Sequence, residues 1–146
     1  MSKKLIDTNI LVYARNTRSR FYDRAKEIRD QANRGEIEGC ISPQNLAEYY
    51  RVITDPRKIE KPLSPEEASR DIERYLGAMR IEKLTIDSKT ISRAAEMARR
   101  YQIQGVKTFD LWLIATMLSN GVDTIITANE DDFKNFKEIR VINPFK

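Results

Sequence analysis

The 146-residue chain contains no histidine. This absence excludes the Ser–His and Cys–His pairs of nucleophilic catalysis, and it excludes cleavage by a histidine acid–base pair. Because the chain also has a single cysteine, a zinc site built from cysteine and histidine ligands is excluded as well. If the protein is an enzyme, carboxylates, lysines or hydroxyl groups must perform its chemistry.

Cys40 is the only cysteine, so an intramolecular disulfide is impossible and a reducing compartment fits the composition. Cys40 lies in an apolar run without a histidine to activate it. We therefore interpret it as a small core residue rather than a nucleophile. A chain of this length buries roughly 70% of its unfolded surface, so it needs no structural metal.

Long apolar runs and a signal peptide are also missing. No apolar stretch approaches about 18 residues, so we expect a cytoplasmic protein without membrane contact. The length is typical of one domain, and we expect residues 1–146 to form it. The 26 basic and 22 acidic residues give a net charge of +4, which is compatible with a polyanionic partner.

The sequence does contain a regular alternation of short apolar strands and helices. Apolar spacing and turn residues predict strands at 3–7, 37–41, 84–86, 124–128 and 139–142. Helices are predicted at 9–14, 19–34, 43–53, from 65 onward, at 88–102 and at 109–120, where Thr108 is the expected cap. The last helix is apolar on nearly every side and should be the most buried. This order predicts an α/β fold with a central, mostly parallel, roughly five-stranded sheet between helices.

Several acidic residues lie where a parallel sheet gathers the ends of its strands. Asp7 ends the first strand, Asp110 lies in the first turn of the most apolar helix, and Asp131 and Asp132 follow the fourth strand. Because these positions share one edge of a parallel sheet, the carboxylates could converge. They would repel one another without a divalent cation, and oxygen ligands of this kind suit Mg²⁺ or Mn²⁺.

Each of these acids also has a purely structural interpretation. Asp7 could cap the following helix, and Asp110 could interact favourably with the dipole of its own helix. Asp131 and Asp132 could be solvated loop charges. Glu48 lies on the polar side of its helical wheel, as an ordinary surface glutamate would.

Four segments, in order, resemble the PIN domain family, and most closely the toxin ribonucleases of VapBC-type toxin–antitoxin pairs. The segments are Ile6–Asn9, Ser42–Tyr50, Thr108–Ala115 and Ile125–Phe133, and the ending Val141–Phe145 also fits. The resemblance spans the whole chain and implies a three-layer α/β/α fold. It also implies Mg²⁺-dependent RNA cleavage, in which Mn²⁺ can substitute, with 5′-phosphate and 3′-hydroxyl products.

Carried over residue by residue, the resemblance assigns an acidic quartet that holds the metal. Asp7, Glu48 and Asp110 match three of its members. The fourth stays open, because Asn129 stands where many members have aspartate and Asp132 can supply the acid instead. Four polar residues match positions that usually support the site: Thr8, Asn9, Thr127 and Asn129.

The resemblance also implies partners: an RNA substrate, a cognate antitoxin and a second copy of the chain. Basic residues in loops and helix ends are candidates for contacts with the RNA backbone: Arg15, Arg18, Arg20, Lys107 and Lys134. The antitoxin would lay a helix in an apolar groove and present a basic side chain to the acids. The homodimer would form through the helices around Tyr49 and Tyr50 and residues 64–79.

Three functions fit these observations. The leading interpretation is a Mg²⁺-dependent endoribonuclease of a toxin–antitoxin pair. A catalytically silent RNA-binding or scaffold protein is the second, with Asn129 as a sign of a decayed site. A PIN nuclease of RNA processing without an antitoxin is the third. The sequence does not specify the RNA target or the number of bound ions.

Overall fold

The computed structural model describes residues 2–146. Its strands are β1 (Lys4–Ile6), β2 (Gly39–Ile41), β3 (Glu82–Lys83), β4 (Thr124–Ile126) and β5 (Arg140–Ile142). Its α-helices are α1 (Thr8–Tyr13), α2 (Tyr22–Arg34), α3 (Pro43–Ile53), α4 (Pro65–Gly77), α5 (Ser88–Tyr101), α6 (Thr108–Ser119) and α7 (Glu130–Phe133). The strands form one sheet in the order β3-β2-β1-β4-β5, and every described pair is parallel.

The sheet divides the core into two halves, because successive strand residues point to opposite faces. The three central strands each supply one residue to either side: Leu5 and Ile6, Cys40 and Ile41, Ile125 and Ile126. The first of each pair packs with α5 and α6, and the second packs with helices α1 to α4. The expected three-layer α/β/α architecture is therefore confirmed.

Local sequence explains where several helices begin. Ser42 and Ser64 cap α3 and α4, and each accepts a hydrogen bond from the backbone N–H three residues on and precedes a proline. The prediction that Thr108 caps α6 is wrong. Thr108 is the first residue of that helix, because a 3₁₀ turn at Gly105–Lys107 leads directly into it.

The largest error in the predicted elements concerns the third strand. It was expected at 84–86, but β3 lies at Glu82–Lys83. Leu84 follows the strand and packs in the core. Because the prediction relied on apolar residues, it placed the strand two residues too late. Helix α2 begins at Tyr22 rather than at residue 19, and β2 begins at Gly39 rather than at residue 37. The short α7 was not predicted at all.

Helix α6 is buried as expected. Six of its twelve residues are buried: Leu111, Leu113, Ile114, Ala115, Thr116 and Met117. It packs beside α5 on the sheet face that carries Leu5 and Ile125. No helix within residues 2–146 combines the length and the apolar character needed to cross a membrane.

Candidate active site

Four carboxylates from four separate segments line one cavity of about 280 Å³. Asp7 follows β1, Glu48 lies in α3, Asp110 lies in the first turn of α6, and Asp132 lies in α7 after β4. The segments after β1 and β4 meet there because these adjacent parallel strands end at the same edge of the sheet. We call it the acidic cavity, since no lysine or arginine is among the described residues that line it.

Asp7 is the most enclosed of these acids, with 6% of its surface exposed. Its Oδ1 accepts a hydrogen bond from the backbone N–H of Thr8 (2.8 Å), and its Oδ2 accepts from Thr127 Oγ1 (2.8 Å) and Asn9 Nδ2 (3.2 Å). These donors are all neutral, so burial dominates and raises the pKa of Asp7 to about 6. Asp7 is also the N-cap residue of α1. It can therefore cap the helix and line the acidic cavity at the same time.

A second set of hydrogen bonds ties the loop after β1 to the loop after β4. Asn9 Nδ2 donates to Thr127 Oγ1 over 3.1 Å, and Asn9 Oδ1 accepts from the backbone N–H of Ala128 over 3.0 Å. The backbone N–H of Asn129 donates to Thr127 Oγ1 over 3.0 Å. Asn129 thus supports the site through its backbone, while its residue surface is exposed.

Glu48 is held on the wall of the acidic cavity rather than on an open helix face. Its Oε2 accepts from Thr8 Oγ1 over 3.3 Å, and its Oε1 accepts from Gln44 Nε2 over 2.9 Å. Gln44 Nε2 also donates to the carbonyl oxygen of Phe109 over 2.9 Å. Gln44 therefore joins α3 to the start of α6, directly before Asp110.

Asp110 and Asp132 complete the cavity and lack protein hydrogen-bond donors among the described residues. Partial burial and, after it, the nearby charges of Asp132, Asp7 and Glu48 together raise the pKa of Asp110 to about 6. Asp132 is exposed at the mouth of the cavity. The neighbouring carboxylates thus disfavour the charged form of Asp110, an effect that a bound cation would reverse.

The donor chemistry of the cavity fits a hard divalent cation. The four candidate ligands are all carboxylates, and such oxygen donors suit Mg²⁺ and Mn²⁺. Within residues 2–146, no three such side chains already stand close enough to hold a metal ion. Mg²⁺ does not require such a cage, because it keeps several waters and is usually bound by one or two carboxylates.

Sequence reasoning missed two amides at the start of α3. Asn45 is completely buried, and its Oδ1 accepts from the backbone N–H of Ser42 over 3.0 Å in a capping box. That contact leaves Asn45 Nδ2 to donate to Thr8 Oγ1 over 3.2 Å. Gln44 could have been found from its position one helical turn before Glu48, a spacing at which side chains meet.

Two of the basic residues predicted to contact RNA lie away from the acidic cavity. Arg15 pairs with Asp71 at 3.0 Å, and Arg18 pairs with Glu60 at 2.6 Å. Both line other cavities of the described chain. Each of these arginines already has a carboxylate partner in this structure.

The other three basic residues lie closer to the acids. Lys107 is near enough to Asp110 for its charge to lower the pKa of that carboxyl, against the larger effect of burial. Lys134 pairs with Asp131 at 2.9 Å. Arg20 lines a cleft that adjoins the acidic cavity.

Two curated relatives match along nearly the whole sequence. Ribonuclease VapC48 of Mycobacterium tuberculosis is 29% identical over 140 residues, which cover 95% of this chain and 95% of that protein. Ribonuclease VapC24 of the same organism is 29% identical over 140 residues, with 95% and 94% coverage.

Solved structures share the fold. VapBC-1 from nontypeable Haemophilus influenzae matches with a TM-score of 0.67 and 20% identity, covering 99% of both chains. VapBC2 from Rickettsia felis, bound to a DNA fragment from their promoter, matches with a TM-score of 0.63 and 21% identity, covering 97% of this chain and 98% of that chain. The sequence profile of the PIN domain matches residues 4–139. This chain therefore belongs to the PIN domain family.

Proposed function

We propose that this protein is a divalent-metal-dependent endoribonuclease and the toxin of a toxin–antitoxin pair, with Mg²⁺ as its ion and Mn²⁺ as a substitute. The observation that carries the proposal is the meeting of four carboxylates in one cavity without a basic lining residue. The names of the relatives, Ribonuclease VapC48 and Ribonuclease VapC24, support RNA as the substrate. An RNA substrate in turn favours action in the cytoplasm.

Asp7, Glu48, Asp110 and Asp132 would hold the ion, which supplies a Lewis acid that offsets negative charge on the reacting phosphate. The protein orients two of these ligands through neutral donors. Thr127 donates to Asp7, and Gln44 donates to Glu48. The resemblance to PIN nucleases implies attack by water that leaves 5′-phosphate and 3′-hydroxyl ends. The absence of histidine agrees with this, because the chain has no histidine pair to exchange protons with a ribose 2′-hydroxyl.

An RNA cleavage assay tests this proposal. The wild type should cleave an unstructured fluorogenic RNA with Mg²⁺ or Mn²⁺ and should stop when EDTA is added. Asp7→Asn and Asp110→Asn should each lower the rate by about a hundredfold or more, since each removes a charged ligand. Glu66→Gln is the matched control, because Glu66 is an exposed acid on α4 far from the cavity lining.

Two results would refute the nuclease proposal. One is a wild type that cleaves no RNA with either ion, which would favour a silent RNA-binding or scaffold protein. The other is metal-dependent cleavage that survives in Asp7→Asn at the rate of the Glu66→Gln control. The number of ions and their ligands can be read directly from a crystal soaked in Mn²⁺.

The antitoxin partner is part of the same proposal. Structures with this fold include a toxin–antitoxin complex from Klebsiella pneumoniae, with a TM-score of 0.63. We expect a small gene beside this one to encode a protein that co-purifies with the chain and inhibits RNA cleavage. Cleavage that no neighbouring gene product inhibits would instead favour a PIN nuclease of RNA processing.

The proposed homodimer needs a correction to its contact surface. Tyr49 is 1% exposed and packs against Tyr75 inside the protomer, so it is not available to a second copy. Leu76, in the last turn of α4, and Met79, two residues after that helix, are 56% and 97% exposed and are the apolar candidates. The double change Leu76→Glu and Met79→Glu should give 17 kDa monomers in sedimentation where the wild type gives dimers; a monomeric wild type would overturn the dimer.

A further inference from the structure

A second, larger cleft lies beside the acidic cavity. It has a volume of about 770 Å³ and shares two lining residues, Tyr13 and Asn129, with the acidic cavity. Its full lining is Tyr13, Arg20, Phe21, Arg24, Ala128, Asn129, Asn143, Pro144, Phe145 and Lys146. We call it the aromatic cleft. Three of its lining residues are cationic and none is acidic, the opposite of its neighbour.

Three aromatic rings meet in this cleft. The ring centroids of Phe21 and Phe145 are 4.4 Å apart, and Tyr13 lies 5.0 Å from Phe21 and 5.7 Å from Phe145. Each of these residues is only partly buried. The cleft therefore offers ring surface to a ligand, in contrast to the pair formed by Tyr49 and Tyr75 inside the protein.

An arginine extends this aromatic surface. The guanidinium carbon of Arg20 lies 4.7 Å from the centroid of the Phe21 ring. Arg20 is exposed and forms no ion pair within residues 2–146, whereas Arg24 pairs with Glu27 and Lys146 pairs with Glu130. Its charge is thus available to a ligand at the point where the cleft offers aromatic rings.

We propose that the aromatic cleft binds unpaired RNA nucleotides adjacent to the scissile phosphate, with bases stacked on Phe21 and Phe145 and a backbone phosphate on Arg20. This proposal rests on the proposed ribonuclease function and names residues that position its substrate. The acidic cavity has no cationic side chain to hold RNA, and the adjoining cleft supplies that charge. Single strands bind proteins through such a combination of a basic groove and aromatic platforms.

The same features favour single-stranded over double-stranded RNA. In a duplex the faces of the bases are covered by their neighbours, whereas unpaired bases can splay out and stack on aromatic side chains. The aromatic cleft therefore selects for unpaired bases next to the cleavage site.

Binding of two fluorescent probes in EDTA tests the proposal, since no cleavage occurs without metal. One probe is an oligoadenylate of about eight nucleotides, and the other is an abasic ribose–phosphate oligomer of the same length. Phe21→Leu and Phe145→Leu keep an apolar side chain but remove the ring. Each should weaken oligoadenylate binding about tenfold or more and leave abasic binding unchanged. Arg20→Ala should weaken both probes.

The chain offers matched controls for both changes. Arg100 lies 5.2 Å over the ring of Tyr101, so Tyr101→Leu removes a similar arginine–aromatic pair that lines neither cavity. Arg93→Ala removes another exposed arginine without an ion pair within residues 2–146. Both controls should bind the two probes as the wild type does. Phe21→Tyr should restore stacking, and thermal melting verifies that each variant folds.

Three outcomes would overturn the proposal. The Leu variants could bind oligoadenylate as tightly as the wild type, or a blunt RNA duplex could bind as tightly as the single strand. The Leu variants could also leave RNA binding intact while abolishing binding of the antitoxin, which would make the cleft a protein site. A wild type that binds oligoadenylate as proposed but never cleaves RNA would refute the nuclease function and leave this binding site standing.

Discussion

At the scale of single residues, the site depends on how Asp7 is surrounded. Its carboxylate is almost fully buried and contacts only neutral donors, so each hydrogen bond that it accepts favours the charged form that a metal needs. The bond from Thr127 is the largest of these effects and acts against burial, which raises the pKa. We therefore expect the hydroxyl of Thr127 to support metal binding without being a ligand.

Thr127→Val should shift the acid limb of the cleavage rate to higher pH by about one unit. The change removes a hydrogen bond to the carboxylate, which is worth roughly 1.5–3 kcal/mol, and so raises the pKa of Asp7 further. The measurement is the cleavage rate at limiting Mg²⁺ from pH 5 to 9. Thr127→Ser retains the hydroxyl and should keep the wild-type profile; identical profiles for the Val variant and the wild type would contradict this role.

At the scale of helices, a buried acid of α4, Asp71, holds several elements together. Asp71 of α4 is 5% exposed and accepts hydrogen bonds from Tyr49 Oη (2.7 Å), Arg15 Nε (3.0 Å) and Arg74 (2.7 Å). These bonds join α3 and α4 to the residue that follows α1. Because Tyr49 lies next to Glu48 in α3, the same helix carries a structural contact on one side and a candidate ligand on another.

Asp71→Ala should lower the free energy of unfolding by about 1–3 kcal/mol, because it leaves the buried hydroxyl of Tyr49 without its acceptor, while Arg15 and Arg74 are exposed enough to be solvated. Urea denaturation of the variant and the wild type measures this loss. Glu66→Ala, an exposed change on the same helix, should stay within about 0.5 kcal/mol of the wild type. If Asp71→Ala were as stable as that control, the network would have no structural role.

The caps of α3 and α4, whose signals are local, were predicted correctly, whereas the bounds of β3, which depend on a distant partner, were not. The serine caps of α3 and α4 act within three residues, so both helix starts could be read from the sequence. The strand β3 is defined by its pairing with β2, in which Cys40 faces Glu82. No local sequence pattern indicates that register. The prediction therefore relied on the apolar residues after the strand and placed it at 84–86.

At the scale of the whole molecule, the buried acids link stability to pH and metal. Burial raises the pKa of Asp7 and of Asp110 to about 6, whereas an unfolded aspartate has a pKa of about 4. In the metal-free protein, the folded state therefore keeps protons that the unfolded state releases between these pH values. Their contribution to stability is present below about pH 4 and is lost as the pH rises through about 6.

We expect Mg²⁺ to stabilise the wild type at pH 7 more than at pH 5, because the ligands are deprotonated only at the higher pH. Without metal, the raised pKa of Asp7 should lower the free energy of unfolding at pH 7 by on the order of 3 kcal/mol relative to pH 4. The effect of Asp110 should be smaller, because that side chain is half-exposed. Urea denaturation with EDTA or Mg²⁺ at pH 5 and 7 measures both effects. In Asp7→Asn, the loss of unfolding free energy between pH 5 and pH 7 should be smaller than in the wild type. An unchanged loss would contradict the raised pKa of Asp7.

The sequence by itself determined the alternation of strands and helices, the exclusion of histidine chemistry, and which acids follow strand ends. These properties depend on composition or on residues within a few positions of one another. Only the tertiary structure decided that Glu48 lies on the cavity wall, that Arg15 binds Asp71, and that neutral donors enclose Asp7. Such contacts join residues far apart in the chain, so they exist only once the sheet has brought their segments together.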